Sequence, residues 1–546
     1  MKNKPLITRR EFLSAGAGAL GLASLPLPAK AALLWNATPE ISGSIVGASS
    51  KIGHKLRSGQ FPAPTEVIEK DIIIVGGGIA GLSAAWKLKK SGADNFMLLD
   101  LEPEVGGNAS SGQNAVSAYP WGAHYVPLLT QEAKAAHELF GDLGIITGSE
   151  NGLPIYNDYY LCADPHERLY MYGRWHEGLV PQIGVSQAEQ DQQRAFFAEM
   201  DRFKALRGND NRRAFTIPID LSSNDPALKQ YDALSMADYM KQQGWNAPSL
   251  LWYVDYCCRD DYGATYDQVS AWAGIHYFAA RNGQAANADP QTVVTWPEGN
   301  GWIVKQLKQK LDGHLRTNAL VYSIRNEGEG VIVCYLDVAR DVTVQIKAKS
   351  VILATPRFVA QRLTGNEKSV EAFHYSPWVV ANVTLDALPE GRGAPLSWDN
   401  MIYNSPLLGY VVATHQNLNR VQTETVLTYY WPLSDKSPQQ ARQEALARPY
   451  AEWRDIFLKE LLAVHPELEG HVKHLDVWLW GHGMIRPTPH FIWGEDRRDA
   501  LIPHPPLFYA HSDMSGISIF EEANYHGVKA AEQLLAHLHH PYETSL

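Results

Sequence analysis

The sequence is poor in cysteine, with four in 546 residues. Cys162, Cys257, Cys258 and Cys334 follow no metal-ligand spacing, and the adjacent pair Cys257–Cys258 is badly placed for a mutual disulfide. Neither a disulfide framework nor a metal centre is expected. An ordinary membrane span is also lacking. The N-terminal apolar stretch, residues 14–28, is short and glycine-rich, whereas a spanning helix needs about 20 apolar residues. Positive charge is scarce as well. The net charge is −11, and the first 31 residues hold five positives (Lys2, Lys4, Arg9, Arg10, Lys30) against one negative, Glu11, which leaves the rest at −15. That composition argues against a nucleic-acid-binding face. With 45% hydrophobic and 20% charged residues the chain is globular, and its length calls for two large domains or more. Sixteen Trp and 25 Tyr are many, enough to line an apolar pocket.

Residues 71–107 organise the rest. Ile72, Ile73, Ile74 and Val75 suit a strand buried on both faces. Gly76, Gly78 and Gly81 follow in G-x-G-x-x-G spacing, with Ile79 and Ala80 between the last two. The first glycine makes the turn, the second lets a pyrophosphate approach, and the third lets helix pack on strand. The helix N-terminus presents free N–H groups to phosphates. A second strand, Phe96–Leu99, closes on Asp100, near the distance expected of a ribose-binding carboxylate. The motif by itself serves NAD or FAD.

Residues 8–13 read TRREFL, ahead of the short apolar stretch and Ala29-Lys30-Ala31. This resembles a twin-arginine export signal, although Ser14 stands where a basic residue is usual. The resemblance implies delivery to the periplasm by the twin-arginine machinery, which carries folded proteins often already loaded with cofactor. A tightly held FAD fits that route better than a diffusing NAD. Residues 32–65, rich in Ser, Gly, Ala and Pro, read as an arm or linker.

Further motifs resemble those of flavin-containing amine oxidases and their relatives, the phytoene desaturases and protoporphyrinogen oxidases. Asp100 is followed by Gly106-Gly107, with Asn108 where the family has Arg. Residues 121–125, WGAHY, resemble a family segment that passes close to the flavin ring, which makes His124 the candidate catalytic side chain. Residues 296–356 resemble the family's helix, strand, meander and "V-I-L-A-x-P" strand, in which Val321 would contact the adenine through its backbone. Residues 507–535 resemble the closing block. There Asp513 would bind the ribityl or pyrophosphate region, and Glu522 and Ala523 would open a helix aimed at the flavin. His511 and His526 replace the family's Gly and Ser. The family's substrate-sheet lysine is missing from residues 378–385, and its covalent-flavin cysteine from residues 484–491, so a non-covalent FAD is expected. Trp480, Trp493, Tyr509 and Tyr525 are candidates for the paired aromatics beside the ring. Asp260 and Asp261 read as a solvated pair, and the histidine-rich tail after Leu535 as a frayed helix end.

The expected fold class is α/β: a Rossmann-like FAD-binding domain, with a parallel sheet and an antiparallel meander, plus an interspersed α+β substrate domain. Residues 1–31 would be the signal, 66–128, 296–360 and 481–546 the FAD domain, and 129–295 and 361–480 the substrate domain. Helices are expected at 130–143, N-capped by Thr130, and across 438–464. The function implied is an exported FAD-dependent oxidoreductase that moves hydride from a small substrate, an amine by the resemblance, to flavin and on to oxygen or a periplasmic electron acceptor. The alternatives are a desaturase acting on C–C bonds and a non-catalytic FAD-holding protein.

Overall fold

The computed structural model describes residues 41–365, 370–418 and 421–546. The expected signal, residues 1–31, and the start of the arm, residues 32–40, lie outside the described residues.

The β-branched run Ile72–Val75 is the middle strand of a five-stranded, all-parallel sheet. Its four side chains are all buried, as expected where helices cover both faces of a parallel sheet. Across the sheet the strands run Leu315–Arg316, Phe96–Leu99, Ile72–Val75, Ser350–Leu353 and Leu507–Tyr509. Three segments far apart in sequence thus meet in one layer. Against it packs the antiparallel meander Ala319–Glu327, Gly330–Asp337 and Val342–Ala348, extended by Glu66–Glu69 running parallel to the last strand. The helices Ile79–Lys90 and Phe520–His537 lie together, and Gly527 makes that possible because a Cβ there would sit 2.2 Å from the Ala80 carbonyl.

The second layer is an eight-stranded mixed sheet. Its order is Ile45–Val46, Val472–Ile485, Tyr375–Leu385, Thr425–Pro432, Tyr410–Val412, Asp399–Ile402, Glu167–Met171, Arg174–Glu177. One face packs on the helices Pro438–Ala447 and Tyr450–Val464 through Val379, Ala381, Tyr429 and Phe457. The other face carries Val380, Tyr430, Met401 and Leu169 toward the interior of the molecule. The helices Gln187–Ala205, Pro248–Tyr262 and Ala271–Ala279 form a separate apolar core.

Several local expectations are corrected. Thr130 caps no helix: the helix begins at Lys134 without a side-chain cap, and Thr130 Oγ1 donates to the Ile217 carbonyl. The helical stretch 438–464 is two helices, broken before Pro449, where the ring removes an N–H and disfavours helical geometry at Arg448. The arm is part of the fold, since Ile45–Val46 pairs with Val477–Trp478 and Phe61 stacks on Tyr322 at 4.1 Å. The boundary expected at 480/481 falls inside the strand Val472–Ile485. The C-terminal tail is tied down rather than frayed. Lys87 Nζ donates to Glu543 O and Ser545 Oγ and pairs with Glu532 at 3.1 Å, while Ser545 N donates to Glu532 Oε1 at 2.7 Å. Among the described residues no helix is long and apolar enough to cross a membrane, and all four cysteines are free and buried.

Candidate functional site

The glycine turn is built by close contacts. Gly76 has φ +108°, and a Cβ there would lie 2.3 Å from the Ala354 carbonyl. A Cβ at Gly81 would lie 1.9 Å from Gly76 O. These two positions are glycine because protein atoms leave no room. Gly78 differs: its φ of −72° suits any residue, and its Cβ would meet nothing closer than the Gly107 Cα at 4.0 Å. Its missing side chain leaves open space at the N-terminus of the helix Ile79–Lys90. No side chain caps that helix and no acid stands in its first turn, so its leading N–H groups are available to a phosphate.

Asp100 accepts from Gly77 N at 2.5 Å and Glu102 N at 2.7 Å. Burial raises its pKa to about 6 against the pull of those N–H groups. Gly106 N donates to Gly77 O at 2.8 Å, which ties the Gly106-Gly107 turn to the cradle. Ala319 N donates to Asp100 O, which brings the strand carrying Val321 to the same edge. The residues present therefore fit a bound dinucleotide: a cradle open at Gly78, uncapped N–H groups, and a carboxylate at the next strand end.

Beside the Gly-Gly turn opens a cavity with about 890 Å³ of empty space, part of it open to solvent. Asn108 lines it and donates from Nδ2 to Gly483 O at 2.5 Å. The N-terminus of the last helix also faces it, through Ser518, Ile519, Phe520 and Glu521. Aromatic rings form much of the wall. His124 stacks on Tyr430 at 4.6 Å and 28° and lies 5.5 Å from Trp398. Tyr430 donates to Gly122 O at 3.0 Å, and Trp480 Nε1 donates to Trp121 O at 2.6 Å. Burial lowers His124 to about 4, so the ring is neutral at ordinary pH. Its Nδ1 lies 3.3 Å from Gly122 O, which assigns the proton to Nδ1 and leaves Nε2 as an acceptor.

The polar wall is acidic. Asp260, Asp261 and Glu521 line the cavity with one cation, Arg281, which binds Asp261 at 2.6 and 2.8 Å. Burial first and Asp261 second raise Asp260 to about 7, and burial raises Glu521 to about 7. Four buried polar atoms on the wall have no partner within the protein: the acceptors Asn300 Oδ1 and Glu521 Oε2, and the donors Arg281 Nε and Trp378 Nε1. Orphans of this kind point to a ligand that satisfies them.

The site thus gathers Gly76, Gly78, Ile79, Ala80, Gly81, Asp100, Gly106, Gly107 and Val321 around the cradle, and Asn108 and His124 in the cavity. Three expected residues, Asp513, Glu522 and Ala523, do not line the cavity. Asp513 is engaged by Arg357 N at 2.9 Å, by the Tyr375 hydroxyl and by His511 Nδ1 at 2.8 Å. Burial would raise its pKa, but His511 and the hydrogen bonds hold it below the usual carboxylate value. Glu522 is turned into the core, where its carboxyl meets Ile219 N at 2.8 Å and Ser515 Oγ. Ala523 does not line the cavity either. The carboxylate that does is its neighbour Glu521. Of the four candidate aromatics only Trp480 reaches the cavity; Trp493 packs on Trp272, Tyr509 on Arg357 and Tyr525 on Lys529. Sequence reasoning missed Glu521, Arg281, Trp378, Tyr430 and Asn300. It also misread Asp260 and Asp261, whose i,i+1 pairing gives no hint of the arginine twenty residues on.

The model of the NAD(P)-binding Rossmann-like domain matches residues 74–143. No curated protein sequence matches the chain. Among solved structures, wild-type putrescine oxidase bound to putrescine is 17% identical, covers 86% of this chain and 100% of its own, and superposes with a TM-score of 0.62. Cyclohexylamine oxidase from Brevibacterium oxydans IH-35A is 13% identical, with 86% and 99% covered and a TM-score of 0.62. A fatty acid isomerase from P. acnes that produces CLA is 15% identical, with 86% and 98% covered and a TM-score of 0.59. The chain carries an NAD(P)-binding Rossmann-like domain within the fold shared by putrescine oxidase and cyclohexylamine oxidase.

Proposed function

We propose that the protein is an exported FAD-dependent oxidoreductase that oxidises a small amine and holds its flavin without a covalent bond. The carrying observation is that one cavity reaches Asn108, next to the Gly-Gly turn of the cradle, and is lined by carboxylates and aromatic rings with only one, already paired, Arg or Lys among its lining residues. A wall of that kind draws in an ammonium by charge and by cation–π contact. The two similar amine oxidases support the amine reading.

When bound, FAD accepts hydride at its ring; the chain's own residues do the rest. Asn108 anchors the Gly-Gly turn to Gly483 and fixes the inner wall. The last helix aims its uncapped N-terminus into the cavity, where negative charge is stabilised. Neutral His124 offers Nε2 to an amine N–H and orients it, while Tyr430, Trp378 and Trp480 exclude water. Among the residues lining the cavity there is no lysine. The twin-arginine-like sequence at residues 8–13 supports export to the periplasm, where oxygen or an electron acceptor would reoxidise the flavin.

The test is anaerobic mixing of the flavin-loaded protein with amines, amino acids, alcohols and unsaturated lipids. Bleaching by amines is expected. Bleaching by lipids alone would shift the reading to C–C chemistry, and no bleaching by any class would leave a flavin-holding protein.

A further inference from the structure

The first acid of the last helix belongs to two cavities. Glu521 lines the aromatic cavity described above. It also lines a second, smaller one with about 330 Å³ of empty space, part of it open to solvent. Among the described residues no other lines both. The wall of the second cavity is mostly apolar, built from the start of the helix Lys134–Asp142 and from Pro218 and Leu221. Lys134, which is exposed, carries it to the surface.

Two buried acceptors lie along this path. Glu521 is 3% and Asn524 0% exposed, and Glu521 Oε2 and Asn524 Oδ1 find no donor among the described residues. Three positions apart, the two side chains share one side of the helix. Asn524 also lines the second cavity, and its Nδ2 donates to Ser83 Oγ at 3.1 Å, which holds the amide and leaves Oδ1 free. Water is the donor that buried acceptors take in a cavity of this kind. No cation is placed to bind Glu521 instead. Arg281, across the first cavity, is taken by Asp261. In the second, Glu132 is paired with Arg213 at 3.2 Å, and Lys134 Nζ reaches Leu546 O at 3.4 Å. The ionisable neighbours Tyr156, Tyr525 and Glu522 are all raised by burial and stay neutral at pH 7. Burial raises Glu521 itself to about 7, where a carboxyl both takes up and releases a proton readily.

We infer that Glu521 is the proton outlet of the cavity: it takes a proton from the substrate nitrogen and passes it, through water held at Asn524, into the second cavity and out beside Lys134. This rests on the amine reading above and deepens it. An amine arrives as an ammonium, which cannot give up hydride in that form. One N–H proton goes to the Glu521 carboxylate, and the nitrogen keeps the electron pair. The neutral amine then loses hydride from its carbon to the flavin and leaves as an iminium. The acid formed on Glu521 discharges to solvent, which restores the carboxylate.

The first measurement needs no amine. Infrared difference spectra of the flavin-loaded protein, wild type against Glu521→Gln, isolate the Glu521 carboxyl stretch; Asp260, common to both samples, cancels. That band should vanish as pH rises through neutrality and should shift promptly on transfer to D2O. A band that survives well above neutrality, or that takes hours to exchange, would overturn the passage. The second measurement is anaerobic reduction by an amine, in stopped flow with a pH-indicator dye. Wild type should release one proton per flavin bleached, at the rate of bleaching. In Glu521→Gln, with Tm checked, bleaching at saturating amine should be about a hundredfold slower at pH 7. It should recover as pH approaches the amine's own pKa, about 10, where the substrate arrives already neutral. A purely structural loss would not be rescued that way. An unchanged rate in the variant, or an equally slow one at every pH, would overturn the inference while leaving amine oxidation standing. If no amine bleaches the flavin, the amine reading fails, and the infrared exchange still decides whether the passage exists.

Discussion

Glu522, His526 and Ser515 share one buried hydroxyl. Ser515 Oγ lies 2.7 Å from His526 Nε2 and also contacts the Glu522 carboxyl. Burial lowers His526 to about 3 and raises Glu522 to about 8, so a neutral imidazole and a neutral acid face the same oxygen. The Ser515 hydroxyl donates to Glu522 Oε2 and shares its oxygen with His526 Nε2. This has a pH consequence. Carboxyls with raised pKa contribute stability that is complete below their unfolded value and is lost as pH rises through the folded one. Asp260 and Glu521 do so through about 7 and Glu522 through about 8. Buried neutral histidines, among them His124, His276, His465, His482 and His526, work the other way, but only below their unfolded value of 6.5. Between pH 6.5 and 8 the acids stand alone. Thermal unfolding of the ligand-free protein should therefore show stability falling by on the order of 2–3 kcal/mol over that interval. Glu522→Gln, which keeps an oxygen to accept from Ser515 and removes the titrating proton, should fold and show a shallower fall. A Tm that rises from pH 6.5 to 8, or an unaltered fall in the variant, would contradict this arrangement.

At the scale of elements, the glycine turn separates two reasons for the same residue. Gly81 is glycine because Gly76 O stands 1.9 Å from its Cβ, whereas around Gly78 the protein leaves space. Gly81→Ala should then destabilise the ligand-free protein by about 1–3 kcal/mol through overpacking. Gly78→Ala should match wild type in ligand-free Tm and lose at least about tenfold in FAD affinity, because a methyl group occupies the phosphate approach. Equal ligand-free Tm in both variants, or full FAD affinity in Gly78→Ala, would refute the distinction. The same contrast explains what the sequence made legible. The cradle is a local pattern whose spacing follows from the turn and its ligand, and it was readable along with the meander and its strand. The long strand Val472–Ile485 carries Gly481 and Gly483 and lacks a clean alternation, so it passed unrecognised. The substrate side of the site was opaque for another reason. Asp261 finds Arg281 only once two helices have packed.

On the scale of the whole molecule, the arm spans the two layers and the tail clamps the helices Ile79–Lys90 and Phe520–His537. Residues 45–46 extend the eight-stranded sheet, Ser49 donates to Glu102 beside the cradle at 2.8 Å, and the C-terminal residues close over Lys87. These long-range ties form only once the strands and helices they join are in place. Replacing Arg9 and Arg10 by lysine should leave flavin-containing protein in the cytoplasm; unchanged periplasmic yield would contradict the export reading. The central claim is that the cradle and the acidic cavity form one amine-oxidising site. Its most direct measurement is an anaerobic titration of the flavin-loaded protein with an amine, followed by the flavin's visible absorption. The account predicts complete bleaching at one equivalent of amine per flavin, restored on admitting an electron acceptor. A flavin that stays oxidised under an excess of every amine would contradict it.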